Sequence, residues 1–146
     1  MTPIELIARY PDRGRPLITH YDGPGARVEL SVASTLNAVA KAGSMLRDGL
    51  GLAPGAEVSI DLPRHWQLPV WVSAALSAGA RVGRGLDGEV EVRVIGPRGL
   101  PAIADGQDPA AQEVLVSSCD AFGMPIPGGV PPGVIDIALE VRGYPD

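Results

Sequence analysis

Cysteine and lysine are almost absent from this sequence. Cys119 is the one cysteine and Lys41 the one lysine, and there are only two histidines. A single cysteine excludes an intrachain disulfide and any metal site that needs several thiolates. The histidines and the cysteine also lack the spacing of a zinc site. The sequence therefore predicts no bound metal and no cofactor.

Basic residues and long apolar runs are scarce as well. The net charge is −5, with 12 basic residues against 17 acidic ones. Nucleic acids and anionic membrane surfaces both need a concentration of basic side chains, so neither is expected as a partner. No apolar run approaches the roughly 18 residues of a membrane span. The N-terminus carries charge at Glu5 and Arg9 and does not form a signal peptide, which predicts a cytoplasmic protein.

Aromatic residues make up only 4% of the chain, so Ala, Val, Leu and Ile must form the core. The 19 glycines and 15 prolines cluster between periodic segments and predict turns. The length of 146 residues predicts one domain, residues 1–146, with a Pro/Gly-rich irregular segment at residues 121–133. The bias towards Ala, Arg, Gly and Pro suggests a GC-rich bacterial source.

Hydrophobic periodicity predicts the main elements. Apolar side chains recur at alternating spacings of four and three through residues 32–50, which predicts a helix over residues 32–48 with Ser31 as its N-cap. An almost wholly apolar helix is predicted over residues 67–78, after a buried strand at residues 58–62. The other predicted elements are a helix at residues 2–10, a hairpin of strands 17–21 and 26–30, strands at 81–84, 90–95 and 114–118, and a helix or strand at 134–141.

Strands that alternate with helices predict an α/β fold: three layers, with a mostly parallel sheet flanked by helices and a short N-terminal hairpin. The strand at residues 90–95 alternates between valine and charged residues, which predicts a sheet edge with Glu91 and Arg93 in solvent, next to Glu89. Asp61 is unusual because it lies in a buried strand. It is predicted either to face water at the end of the sheet or to accept hydrogen bonds from a helix N-terminus.

The stretch of residues 30–82 resembles the N-terminal segment of the adenylate-forming superfamily, which contains acyl-CoA synthetases, nonribosomal peptide adenylation domains and luciferases. With residues 16–19, which also fit the pattern, the resemblance covers roughly residues 16–82, about half of the chain. It is carried by the helix at residues 37–46, the turn GLGLAPG at residues 49–55, the strand followed by Pro63, and the helix ending Ala78-Gly79-Ala80. It implies the fold of the N-terminal subdomain of such an enzyme.

Other residues refine this resemblance. The tail, with SCDAFG at residues 118–123 and PPGV at residues 131–134, looks like a small actinobacterial family of stand-alone proteins distantly related to these enzymes. Ala56, Arg64 and Ser77 replace the Asp, Asn and Lys that the superfamily usually has at these places.

The parts that perform adenylation in the superfamily are missing from this sequence. The chemistry needs a Ser/Thr/Gly-rich phosphate loop ending in lysine, an acidic ribose ligand and a lysine from a mobile C-terminal domain. The family places these parts beyond the matched segment, and Lys41 lies on the first long helix. A complete adenylate-forming ligase is therefore excluded by length and by motif, which favours a protein that is not an enzyme.

The candidate ligand-binding residues are Arg64, His65, Trp66 and Cys119. The first three follow the buried strand at residues 58–62, and Cys119 follows the strand at 114–118. Ligands bind at the carboxyl ends of strands in open α/β sheets, where Arg64 could meet an anion and Trp66 could stack on a ring. The plainer interpretation is that Trp66 and Cys119 are packing residues and that His65 is solvated. His20 is expected to be an exposed strand residue.

Residues 83–88 match the dinucleotide pattern G-x-G-x-x-G after a strand. The dinucleotide fingerprint requires a helix to follow directly. Because the next segment is predicted to be a strand, a plain turn is expected.

Three hypotheses for function follow. The favoured one is a non-catalytic remnant that acts as a binding or assembly module, with exposed apolar surface covered by a homodimer or a protein partner. The second is a small-molecule binding or catalytic site at the strand carboxyl ends. The third is one piece of a split ligase that a partner completes.

Overall fold

The computed structural model describes residues 1–23, 25–106 and 111–146. Its N-terminal part is helix α1 (Pro3–Ala8) followed by strands β1 (Pro16–Asp22) and β2 (Ala26–Ser31), which pair antiparallel as a separate two-stranded sheet. The side chain of Thr2 caps α1, and the carboxylate of Glu5 accepts the Thr2 N–H at 2.7 Å. The predicted helix and hairpin are confirmed.

Helix α2 (Val32–Ser44) continues into a π-helical turn at Met45–Gly49. Ser31 is the N-cap, as predicted, and its side-chain oxygen accepts the Ser34 N–H at 3.1 Å. The predicted apolar stripe is buried, with Val39 and Leu46 at most 1% exposed. The chain leaves the helix at Gly51, whose φ of +68° is a conformation that glycine adopts without strain.

A five-stranded parallel sheet forms the centre of the fold. Its strands are β3 (Glu57–Asp61), β4 (Arg81–Gly83), β5 (Val90–Ile95), β6 (Ala111–Val116) and β7 (Val134–Asp136). They lie in the order β4-β3-β5-β6-β7, and all neighbouring pairs run parallel. Helix α3 (Gln67–Ser77) connects β3 to β4.

The two faces of the sheet are covered differently. Helices α2 and α3 pack on the face that carries Val58, Ile60 and Val94, where the main apolar cluster lies. On the opposite face, the turn that leads into the short helix α4 (Leu100–Ala104) lies against Ile95. Connections that cross the sheet in opposite directions place their helices on opposite faces, because parallel crossovers are right-handed. The predicted α/β fold is confirmed.

The predicted place of one strand in the sheet is wrong. The alternating segment at residues 90–95 was expected at an edge, but β5 is the middle strand. Arg93 was expected in solvent, yet its side chain is buried, with 3% of the residue exposed. Glu91 is half-buried and accepts the Glu57 N–H at 2.7 Å. Alternation in the sequence shows which side chains are charged, but it does not show that they face solvent. A charged side chain with an internal partner can lie in a central strand.

Residues 134–141, which were predicted to form a helix or a strand, contain one of each. Strand β7 is followed at once by helix α5 (Ile137–Glu140), whose Ile137 is buried in the main cluster. Residues 117–133, which include the predicted irregular segment, form no helix or strand. Among the described residues, no helix combines the length and the apolar character needed to cross a bilayer.

Candidate functional site

The strand order of the sheet reverses at β3. The chain passes from β3 to β4 on one side and then crosses to β5 on the other side. In an open parallel sheet, such a switch point leaves a crevice outside the carboxyl ends of the strands, and ligands bind there. A cleft of about 630 Å³ opens at this place. This switch-point cleft is lined by Asp61, Pro63, Arg84, Arg93, Cys119 and residues 95–99.

Positive charge dominates the switch-point cleft, although the chain carries a net charge of −5. Arg84, Arg93 and Arg98 line it, against the single carboxylate of Asp61. Arg84 and Arg98 are exposed, and neither forms an ion pair with any residue that the structure describes. A surface with guanidinium groups that lack an internal counter-charge attracts anions.

Other cavities of the described chain differ in character. A cavity of about 470 Å³ at the amino ends of the strands is lined by Glu91 and Glu113, with no basic side chain among its described residues. A mostly apolar groove of about 210 Å³ lies between α2, α3 and α5. Among these cavities, the switch-point cleft is the one that combines a large volume with several arginine side chains.

Arg93 is the buried centre of the switch-point cleft. One guanidinium nitrogen, Nη1, donates to Asp61 Oδ2 at 2.9 Å and to Ser59 Oγ at 3.2 Å, and Nη2 donates to the Leu86 carbonyl at 2.9 Å. The third nitrogen, Nε, is buried and has no hydrogen-bond partner among the described residues. A buried donor without a partner is costly, so a ligand oxygen placed there would satisfy it.

Asp61 lies at the end of the sheet, as the first of its two predicted environments required, but its side chain is only 24% exposed. Its carboxylate lies at the end of β3, but it pairs with Arg93 and accepts the Gly85 N–H at 2.6 Å and the Ser59 hydroxyl at 3.0 Å. The donor groups are the Arg93 side chain of the neighbouring strand, the Ser59 hydroxyl of the same strand and the backbone of a loop. These groups take the place of the helix N-terminus that the sequence suggested as the other possibility.

The G-x-G-x-x-G pattern is a turn, as expected. Residues 84–89, here called the crossover segment, connect β4 directly to β5, and no helix follows Gly88. Gly85 has a φ of +57°, in the left-handed region that favours glycine. The pattern therefore lacks the helix N-terminus that a pyrophosphate site requires.

Cys119 lies in the switch-point cleft, at the exit of β6. Its φ is +54°, and it is the one residue other than glycine with a positive φ in the described chain. Burial raises the pKa of its thiol, and a contact with Ser117 opposes this shift. A thiol with a raised pKa is mostly protonated at neutral pH, so this cysteine is a poor nucleophile.

Cys119 lines the switch-point cleft, whereas the other three candidate residues, Arg64, His65 and Trp66, line a different cavity. His65 is buried and Trp66 is half-buried. The His65 Nε2 donates to the Asp120 carbonyl at 3.0 Å, because its Nδ1 accepts the Gln67 N–H at 3.1 Å. Trp66 donates its indole N–H to the Ala121 carbonyl at 2.9 Å. These side chains hold the loop after β6 against the start of α3.

Arg64 and His20 border a shallow cavity beside the hydrogen bonds of His65 and Trp66. Arg64 is exposed, while the ring of His20 lies 4.6 Å from the ring of His65. His20 was expected to be exposed, but it is half-buried and its Nε2 is buried without a partner among the described residues. The carboxyl end of β3 thus serves two surfaces: the switch-point cleft on one side and the Arg64 cavity on the other.

Comparison with known proteins supports the resemblance. The chain is similar over most of its length to three solved structures: an acyl-CoA synthetase of Brucella canis (21% identity, TM-score 0.73), an acetoacetyl-CoA synthetase of Streptomyces lividans (19%, 0.72) and an anthranilate CoA ligase bound to anthranoyl-AMP (18%, 0.72). The three alignments include 97%, 98% and 99% of this chain, but only 27%, 24% and 28% of the respective solved chains. The chain has the fold of the N-terminal subdomain of adenylate-forming enzymes.

A curated relative gives a closer sequence match. A Mycobacterium tuberculosis protein, named only by the number of its family, is 38% identical over 135 residues, which are 90% of this chain. The predicted similarity to an actinobacterial family is confirmed by this match. The chain spans 54% of the length of that relative. No model of a known protein family matches the chain.

Proposed function

We propose that the chain is a cytoplasmic, non-catalytic binding module of adenylate-forming fold that holds a phosphate-bearing small molecule in the switch-point cleft. The observation that carries this proposal is Arg93. Its side chain is buried at the strand carboxyl ends, it lines the cleft, and its Nε lacks a partner within the described structure. Buried donors are normally paired, so an unpaired one on a residue that lines a cleft supports a ligand-binding role for that cleft.

The chemistry of the cleft favours a phosphate. Arginine presents planar sets of N–H groups that match phosphate oxygens, and Arg84 and Arg98 add two exposed guanidinium groups at the same cleft. The volume of about 630 Å³ lies in the usual range for small-molecule sites. The solved relatives are named for CoA ligation, and one is bound to an acyl-AMP. Coenzyme A and AMP are therefore the first ligands to test.

The absence of catalysis is part of the proposal and rests on the residues in hand. The sequence has no phosphate loop ending in lysine, and Lys41 pairs with Asp146 at 3.7 Å and with the Tyr144 carbonyl at 3.0 Å. The nucleophile candidate Cys119 has a raised pKa. The split-ligase hypothesis stays a prediction, which acid-dependent pyrophosphate exchange with candidate partner proteins tests.

Calorimetric titration tests the binding proposal. Coenzyme A, AMP and inorganic phosphate are each added to the wild-type chain and to Arg98→Ala. We expect binding of at least one phosphate ester, weakened roughly tenfold in Arg98→Ala, because a charge-assisted hydrogen bond is worth about 1.5–3 kcal/mol. The control Arg64→Ala removes an exposed arginine outside the cleft and should leave the affinity unchanged. Equal loss in both variants would show non-specific charge attraction and contradict the proposal.

An assembly role is the second candidate, and exposed apolar side chains favour it. Phe122, Met124 and Leu139 are 73%, 54% and 66% exposed, on the loop after β6 and on α5. Such residues are seldom exposed together on a monomer, and we propose that a second copy of the chain covers them. Phe122→Ser should shift the chain towards the monomer in sedimentation velocity, while Tyr21→Ser, which alters an equally exposed residue on the hairpin, should not. A wild-type chain that is monomeric at high concentration would remove this candidate.

A further inference from the structure

The crossover segment is short for the connection that it makes. Parallel strands are usually joined by a dozen or more residues that include a helix. Here the six residues 84–89 connect β4 to β5, which lie on opposite sides of β3. The segment therefore lies directly on the sheet, over the side chains of β3 and β5, where a crossover helix would otherwise pack.

The backbone of this segment brings its own polar groups onto the sheet. In a helix these groups would bond to one another, but an irregular segment needs other partners. The Gly85 N–H donates to Asp61 at 2.6 Å, the Leu86 N–H donates to Ser59 at 3.3 Å, and the Leu86 carbonyl accepts from Arg93 at 2.9 Å. The polar side chains inside the sheet thus substitute for the missing helix.

This arrangement gives Asp61 a role in ligand binding, and the inference rests on the proposed function. Asp61 bonds to Gly85, and Arg84 of the cleft is the preceding residue. The charge of Asp61 is balanced by Arg93 at 2.9 Å, so the carboxylate repels an incoming anion little. We propose that Asp61 is a positioning residue: its carboxylate fixes the crossover segment so that Arg84 faces the switch-point cleft and contacts the ligand.

Asp61→Asn separates this role from simple electrostatics. Removing a negative charge from a cationic cleft should strengthen anion binding if only charge matters. Gly85 and Arg93 donate to different oxygens of Asp61, and asparagine has only one acceptor oxygen, so it cannot keep both bonds. We therefore expect coenzyme A to bind roughly tenfold more weakly. The control Asp87→Asn removes a charge from the same segment at an exposed side chain and should bind coenzyme A at least as tightly as the wild type.

A double-mutant cycle and amide exchange complete the test. If Asp61 acts through Arg84, Asp61→Asn should have no further effect on affinity in the Arg84→Ala background. In Asp61→Asn, the amides of Gly85 and Leu86 should lose protection from hydrogen exchange while the amides of β5 keep theirs. Should Asp61→Asn fail to fold, Ser59→Ala, which removes the partner of the Leu86 N–H, takes its place with the same expectations.

The outcomes separate this inference from the proposed function. A wild-type chain that binds neither coenzyme A, AMP nor phosphate overturns both. A wild-type chain that binds, with Asp61→Asn or Ser59→Ala binding as tightly or more tightly, overturns the positioning role and leaves the binding proposal standing. Weaker binding of Asp61→Asn that persists fully in the Arg84→Ala background also overturns the positioning role.

Discussion

At the scale of single residues, Asp61 and Arg93 show why charges lie inside this sheet. Ser59 and Arg93 are buried, and the Asp61 side chain is 24% exposed. A buried ion pair contributes little net stability, because desolvation of both groups opposes their attraction. Its effect here is local. Together with Ser59, the pair forms hydrogen bonds with the backbone N–H and C=O groups of the crossover segment, which have no partners within a helix.

His65 is the residue whose protonation state matters for stability. Burial lowers its pKa first, and His20 adds to this, while the bond to Asp120 and the carboxylates of Asp22 and Asp120 oppose the shift. As pH falls through about 6.5, the unfolded chain binds the proton first. The contribution of neutral His65 to the free energy of unfolding should therefore be fully present above this pH and should decrease below it.

Urea denaturation of wild type and His65→Gln at pH 7.5 and 5.5 measures this contribution. At pH 7.5 the variant should be about 1–3 kcal/mol less stable, because buried hydrogen bonds are lost. Between pH 7.5 and 5.5 the wild type should lose more stability than the variant. Equal losses in the two proteins would show that His65 does not titrate as the structure implies.

The sequence could not reveal which candidate residues lie together. It predicted a ligand site at the carboxyl ends of β3 and β6, which stays a prediction. It could not show that the side chain of His65 would bond Asp120, since 55 residues separate them and no local pattern records the contact. Arg84 and Arg98 were missed as well. Their signal was an arginine in each of the loops after β4 and β5, which are consecutive in the chain, but that signal has meaning only once the strand order is known.

At the scale of elements, α2 is the helix that the sequence described best. Leu46, in the π-helical turn that continues it, is completely buried, while Asn37 is exposed. Leu46→Ala should lower the free energy of unfolding by about 2–5 kcal/mol, because it removes buried methyl groups and leaves a cavity. Asn37→Ala should change it by no more than about 0.5 kcal/mol. Urea denaturation gives both values, and similar values for the two variants would contradict the packing described here.

The helices and strands were predictable because their signals are local. The stripe of α2, the turn at Gly51 and the cap at Ser31 each follow from a few neighbouring residues. The order of the strands is a long-range property. The segment of residues 90–95 alternated like an edge strand, and only the pairing of Arg93 with Asp61 across two strands explains its central place.

At the scale of the whole molecule, the net charge and the local charge have opposite signs. The chain carries −5 overall, yet three arginines meet at the switch-point cleft. The reversal of strand order at β3 brings them together from the crossover segment, from β5 and from the turn after β5. The fold therefore concentrates positive charge at the edge of the sheet where α/β proteins bind ligands.

The most direct test of this account is a two-dimensional NMR titration of the labelled chain with coenzyme A. If the switch-point cleft binds coenzyme A, saturable shifts are expected at the amides of Arg84, Gly96 and Cys119, which line it, and binding should be weaker in Arg98→Ala. The binding proposal is contradicted if no amide shifts at coenzyme A concentrations up to about 1 mM. It is also contradicted if the shifts are confined to residues 64–66 or to the cavity at the amino ends of the strands.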